Sequence, residues 1–178
     1  MVGSLLGDGA LRRQGTRTNA LFEVNHTYAV KEYVDWKWQR FHEFVRTPPK
    51  ARRTNGDRVA YRFVTRSLPV FTNYHRWFYP QGRKRIPEGL ELEPLLLAVW
   101  FMDDGSQIRG AFYLNTQQFL KHEQEFLRDI LLRQLQITSA LNRDKEYFRL
   151  RMTIESTKRM KRLIEPHILS CFRYKVML

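Results

Sequence analysis

"LLLAVWFMDDGSQIRG", residues 95–110, ends the longest apolar run of this 178-residue chain on two adjacent carboxylates and a glycine. Apolar residues gain by burial, whereas carboxylates are costly to bury unless a cation or a hydrogen-bond network meets them. A helix built from this run needs a partner along its length and a cation or a hydrogen-bond network at its end.

A second copy of the pattern stands at the amino terminus. "VGSLLGDGA", residues 2–10, has the outline of "AVWFMDDGS", residues 98–106, with Asp8 and Asp104 as the matching acids. Each is followed by an alternating segment ending on Asn, "ALFEVNHT" at 20–27 and "AFYLNTQ" at 111–117. Each of those precedes an amphipathic helix, Val30 to Val45 and Leu120 to Leu135. Both copies close with another alternating segment and a basic helix ending at Pro, residues 61–80 and 148–166. Matched residues are offset by 96 at Asp8/Asp104, 90 at Asn25/Asn115, 87 at Arg62/Arg149 and 86 at Pro80/Pro166, a drift that loop-length changes produce. The repeat predicts two α/β halves, residues 1–80 and 95–178. The segment 81–94 joins them, and "PQGRKRIPEG" at 80–89 has the Pro, Gly and charge of a connecting loop.

Composition limits the partner. Hydrophobic residues make up 43% of the chain and aromatics 13%, enough for a packed core. The net charge is +13 and the isoelectric point near 10.2, which favours a polyanion: nucleic acid first, an anionic membrane surface second. The eight apolar residues from Leu95 to Met102 fall far short of the ~20 that span a bilayer. The amino terminus lacks the basic and apolar regions of a secretory signal. Cys171 is alone, and no Cys/His cluster has zinc spacing, so a reducing compartment is expected.

"FRLRMTIE", 148–155, alternates strictly, with Phe148, Leu150, Met152 and Ile154 on one face and Arg149, Arg151, Thr153 and Glu155 on the other. Arg62 and Arg66 share a face of 61–66, and Tyr113, Asn115 and Gln117 share one of 112–117. A sheet face of this kind is either solvated surface or, in a chain this basic, a set of donors and acceptors for base edges. Glu23 and Asn25, in the first alternating segment, join the candidate set.

If the two motif segments are helices, Gly3, Gly7 and Ala98 allow close backbone approach, and Gly9 and Gly105 suit a left-handed helix end. Asp-Gly is also a common turn, and only its recurrence argues for more. Paired carboxylates repel unless cations lie between them, and hard oxygen ligands suit Mg²⁺. Such a pair against DNA phosphates fits metal-assisted phosphodiester hydrolysis.

"LAVWFMDDG", 97–105, and "MVGSLLGDG", 1–9, resemble the two motif helices of the LAGLIDADG homing endonucleases, in the single-chain, two-motif branch. "YLNTQQF", 113–119, and "ILSCFRYKVML", 168–178, extend the resemblance over nearly the whole chain. It implies an α+β fold of duplicated αββαββα halves with two saddle-shaped antiparallel sheets and the motif helices packed at the centre. It implies a monomer that straddles double-stranded DNA, reads a long asymmetric site in the major groove and cuts both strands with Mg²⁺ or Mn²⁺.

Carried onto this chain, the metal-binding acids are Asp8 and Asp104, with the backbone carbonyls of Gly7 and Asp103 as further ligands. Lys84 in "RKRIP" and Lys175 in "FRYK" become catalytic basic residues that help polarise phosphate and water, or ordinary phosphate contacts. Glu23, Asn25, Arg62, Arg66, Tyr113, Asn115, Gln117, Arg149, Arg151 and Thr153 become DNA contacts. The motif's usual first Asp is Leu6 in one copy and Met102 in the other, and its central Gly is Val99 in the second; the metal-binding acids remain. Only seven residues precede Asp8, fewer than two helical turns, so the resemblance implies a fragment or a misassigned start. It also implies an intron gene in an organelle, mitochondrion or chloroplast, with a prokaryotic cytoplasm as the alternative. A maturase of the same fold, binding intron RNA through aromatics such as Trp36, Trp38, Tyr74 and Trp77, is the second functional class.

Overall fold

The structure, a computed structural model, describes residues 1–13, 15, 19–54 and 57–177. It contains two compact units, one of residues 8–80 and one of residues 1–7 with 81–178.

The unit of residues 8–80 holds strands β1 (Ala10–Arg12), β2 (Leu21–Thr27), β3 (Lys50–Arg53) and β4 (Val59–Val64), with helices α2 (Lys31–Phe41) and α3 (Pro69–Phe78). The strands form an antiparallel sheet in the order β1-β2-β4-β3. Because side chains alternate across a strand, Leu11, Phe22, Val24, Tyr61 and Phe63 turn to one face and are buried, along with Tyr33 and Val34 of α2 and Phe71 and Phe78 of α3. Arg12, Glu23, Asn25, Arg62, Lys50 and Arg52 occupy the other face, as the pairings Glu23↔Ala10, Asn25↔Arg62, Lys50↔Arg62 and Arg52↔Ala60 require.

The other unit holds α1 (Val2–Leu6), α4 (Pro94–Asp104), β5 (Gly105–Ile108), β6 (Ala111–Leu114), α5 (Lys121–Leu135), β7 (Ser139–Asp144), β8 (Tyr147–Met152) and α6 (Ile154–Ile164). Its sheet has the matching antiparallel order β5-β6-β8-β7. The two repeats therefore share topology and register: Glu23 pairs with Ala10 and Tyr113 with Ser106, and Val64 pairs with Glu23 as Arg151 pairs with Tyr113. The α+β architecture with two four-stranded antiparallel sheets is the one the family resemblance implies.

Leu97 to Met102 of α4 are all buried, which is why this helix carries no polar face. α1 packs on α4 and belongs to the same unit as it. The connecting segment docks on α5, where Glu123 accepts from the Ile86 amide (3.0 Å) and pairs with Arg85 (3.5 Å), and Gln134 bonds the Leu92 amide (2.7 Å) and the Leu90 carbonyl (3.0 Å). Among the described residues no helix is long and apolar enough to cross a membrane.

Several boundaries differ from the sequence reading. The strand proposed for 148–155 stops at Met152 because the Thr153 hydroxyl accepts from the Ser156 amide and starts α6; Ile154 is consequently an exposed helical residue. β4 ends at Val64, which puts Arg66 in a loop, and β6 ends at Leu114, which puts Asn115 and Gln117 in the turn before α5. The helix from Val30 closes at Phe41 and is followed by a single 3₁₀ turn, His42–Phe44. The left-handed glycines among the described residues are Gly15, Gly82, Gly89 and Gly110, not Gly9 or Gly105. Gly105 has φ −83° and is needed for space, since a β-carbon there would run into the Phe101 ring and carbonyl.

Candidate metal centre and nucleic-acid interface

α1 lies close against α4 because Gly3 of α1 and Gly7, which follows its last residue, carry no side chain. A β-carbon on Gly3 would meet the Leu96 carbonyl and lie 2.9 Å from the β-carbon of Val99; one on Gly7 would lie 2.5 Å from the β-carbon and 3.0 Å from Oδ2 of Asp103. Helix carboxyl ends carry partial negative charge on their unsatisfied carbonyls, and here carboxylates add to it.

Two lysines meet that charge. Lys84 Nζ donates to the Gly7 carbonyl (2.7 Å) and to Gln118 Oε1 (3.3 Å). Lys175 Nζ donates to the Met102 carbonyl (2.8 Å) and reaches that of Phe101 (3.4 Å). Each motif helix thus has one lysine on its last carbonyls, one from the connecting segment and one from the terminal 3₁₀ segment Ser170–Val176. Gln118 spans the same unit's acid and helix end, donating to the Leu6 carbonyl (3.1 Å) and, at 3.5 Å, to Asp104 Oδ2.

Asp8 follows Gly7 directly and belongs to the unit of residues 8–80, where half of its side chain is exposed. Its Oδ2 is 3.8 Å from His26 Nδ1. It lines a concavity with Arg12, Glu23, Asn25, Thr54 and Arg58, and a neighbouring hollow is lined by Arg52, Arg53, Arg58 and Arg62. The density of guanidinium groups suits a phosphate backbone.

The comparisons with known proteins decide the family. The sequence profile of the LAGLIDADG DNA endonuclease family matches residues 1–160. The chain belongs to this family. Over 99% of its length it is 26% identical to cytochrome b mRNA maturase bI2 of Debaryomyces hansenii, covering 71% of that protein. Over the same share it is 25% identical to probable intron-encoded endonuclease 1 of Wickerhamomyces canadensis, covering 82% of it. In fold it is similar to the homing endonuclease I-WcaI bound to its DNA recognition sequence, with a TM-score of 0.91 and 23% identity over 99% of this chain and 84% of that one.

Within this LAGLIDADG fold the remaining sequence-derived candidates have distinct surroundings. Glu23 is 9% exposed and bridges Arg12 (3.0 Å) and Arg62 (3.8 Å), which holds the two guanidinium groups on the open face. Asn25 is exposed beside Arg62, and Asn115 bonds backbone to backbone with Asp104 (3.0 Å). Arg149 stacks over the Tyr113 ring at 4.6 Å, and Arg151, opposite Tyr113, is exposed. Gln117 donates to Asp144 (2.9 Å). Arg66 donates to the Glu43 carbonyl (3.0 Å), apart from the sheet face, and Thr153 caps α6.

Sequence reasoning missed Gln118, His26 and Lys37. Gln118 lies within the quoted "YLNTQQF" yet has Tyr28 as its counterpart 90 residues earlier, so the repeat does not mark it. Lys37 sits on a helix rich in charge, and nothing in its residue type signals that it is buried.

Proposed function

We propose that this LAGLIDADG protein is a site-specific, intron-encoded DNA endonuclease that cuts both strands of a long asymmetric duplex site with a divalent cation, Mg²⁺ or Mn²⁺, as a monomer. The observation that carries the reading is the pair of glycine-packed motif helices, each followed or ended by carboxylates and each with a lysine on its terminal carbonyls. The donor chemistry fits the metal: carboxylates of Asp8 and Asp104 and carbonyls of Gly7 and Asp103 are hard oxygen ligands, and the absence of a side chain on Gly7 lets the Asp103 side chain pack directly against it.

When bound, the cation supplies a water of lowered pKa and neutralises charge on the scissile phosphate. Asp8 and Asp104 would each hold such a cation, one acid serving each strand. Lys84 and Lys175 place ammonium groups beside the helix ends, where they stabilise charge developing on phosphate oxygens. Gln118 fixes the Asp104 carboxylate and the end of α1 relative to each other within their unit. On the sheets, Asn25, Arg62, Arg149 and Arg151 read base edges or hold phosphates, with Glu23 and Tyr113 orienting the arginines. An organelle gene, mitochondrial or chloroplast, fits relatives named for cytochrome b mRNA and for intron encoding.

The test is cleavage of a duplex spanning the joined exons that flank this reading frame, in Mg²⁺ and in EDTA, with Asp8→Asn and Asp104→Asn alongside. Metal-dependent double-strand cutting that both variants lose, with duplex binding retained, is the expected result; an Asp104→Asn protein that still nicks in Mg²⁺ refutes the ligand assignment.

A maturase role is the second reading, favoured by the relative named as one and by α3, where Trp77 is 36% exposed and lies 6.2 Å from Tyr74. Trp36 is covered instead by Arg40, 3.7 Å from its ring, and stacks on Tyr33. Binding of the intron transcript that survives loss of both acids, without duplex cleavage, identifies that activity.

A further inference from the structure

Among the described residues of the unit 8–80, Lys37 is the most buried charged residue, with 2% of its surface exposed. A lysine in such a place needs partners that compensate lost hydration. Its ammonium lies 3.3 Å from His26 Nε2 and 4.1 Å from the centre of the Tyr33 ring. The Tyr33 ring also packs against the imidazole at 5.2 Å, which fixes the plane of His26.

We propose that Lys37 and His26 form a relay that positions the Asp8 carboxylate: Lys37 holds the imidazole as its Nδ1–H tautomer, and Nδ1–H faces Asp8. The chemistry follows from the donors. An ammonium has no acceptor capacity, so the ring nitrogen facing it presents a lone pair, and a neutral imidazole then carries its proton on the other nitrogen. That nitrogen is the one 3.8 Å from Asp8 Oδ2, a gap closed by a small side-chain rotation or by one water. Engaging one carboxylate oxygen leaves the other aimed at the cation, the usual work of a residue behind a metal ligand. The relay rests on the assignment of Asp8 as a metal ligand.

The duplication shows that the fold itself does not require this cation. α2 buries Tyr33, Val34 and Lys37, and α5 buries Glu123, Gln124 and Leu127, each 90 residues on. Lys37 therefore corresponds to Leu127, which is fully buried. His26 corresponds to Thr116, whose hydroxyl donates to the Gln124 carbonyl oxygen (3.1 Å). One repeat fills these positions with leucine and a neutral hydrogen bond; the other places an ammonium and an imidazole behind its acid. Asp104 is served by the neutral amide of Gln118 instead.

The decisive measurement is the ring ¹⁵N spectrum of His26 in the full chain. Protonated Nδ1 with bare Nε2 is expected; an Nε2–H tautomer overturns the relay, and this needs no variant. Lys37→Leu, which installs the residue of the other repeat, is expected to shift His26 toward Nε2–H. It is also expected to slow nicking of one strand of the joined-exon duplex about 10–100-fold, with duplex affinity in EDTA unchanged. An unaltered tautomer with equal cutting of both strands overturns the proposal. His26→Asn keeps a donor near the Nδ1 position and is expected to retain more cutting than His26→Phe; equal loss in the two argues for packing alone and overturns it as well. Asp8→Asn separates the two levels: if it cuts both strands normally, the assignment of Asp8 fails, whereas an inactive Asp8→Asn beside an Nε2–H wild type sinks only the relay.

Discussion

Replacing Gly7 by Ala tests whether the packing of the motif helices sets both stability and activity. The new methyl carbon would stand 2.5 Å from the β-carbon of Asp103, where carbon atoms ordinarily rest ~3.5–4.0 Å apart. The helix ends must therefore separate by about 1 Å, a distortion of the kind that costs ~1–3 kcal/mol in a packed interior. For a chain of this size about 2 kcal/mol corresponds to a fall in Tm of ~4–8 °C. The same shift moves the Gly7 carbonyl off Lys84 and displaces Asp8, the next residue, so cleavage should drop about 100-fold, as misplacement by ~1 Å can cause.

A double-mutant cycle isolates the contact. Asp103→Gly removes the clashing β-carbon, so Gly7→Ala in that background should lose ~1–2 kcal/mol less stability than it does alone. The assay is thermal unfolding of the four proteins followed by circular dichroism, with strand cutting measured on the wild type and Gly7→Ala. An unchanged Tm for Gly7→Ala, or strictly additive losses, would refute the close-packing argument.

Other perturbations separate the proposed roles. Lys84→Met and Lys175→Met should each slow cutting about 100-fold with duplex affinity nearly unchanged; weakened binding at an unaltered single-turnover rate would make them phosphate contacts only. Thr153→Ala should cost about 1 kcal/mol of stability through loss of the α6 cap, and relaxed discrimination at one base pair would instead restore a reading role. Glu23→Gln removes the carboxylate that Arg12 and Arg62 share, so non-specific duplex binding should tighten, and the slope of log K against log salt should steepen by about one phosphate equivalent. An unchanged slope would mean that those arginines do not reach the backbone.

The sequence by itself determined the class of fold, because period-2 and period-3.6 patterns report which face of an element is apolar, and a duplicated pattern reports a duplicated architecture. Asp8 and Asp104 stand out as candidate acids because they recur after matching apolar segments, and the charge of +13 favours a polyanionic partner. Arg62 and Arg149 were matched by offset alone, and the strand registers place them at equivalent positions. Element ends were less legible, since the Thr153 cap competes locally with strand alternation and wins by a hydrogen bond that the pattern of residue types does not weigh.

Tertiary structure decided what depends on distance through space. α1 has five residues, too few to show a periodicity, and only its packing on α4 places it with residues 81–178. Lys84, Lys175 and Gln118 meet carbonyls 73–112 positions away in the chain, contacts that no local pattern of residue types reports. Lys37 looks like any helical surface lysine until the fold buries it beside His26 and Tyr33, because burial of a charge is set by the groups that surround it and those come from other elements.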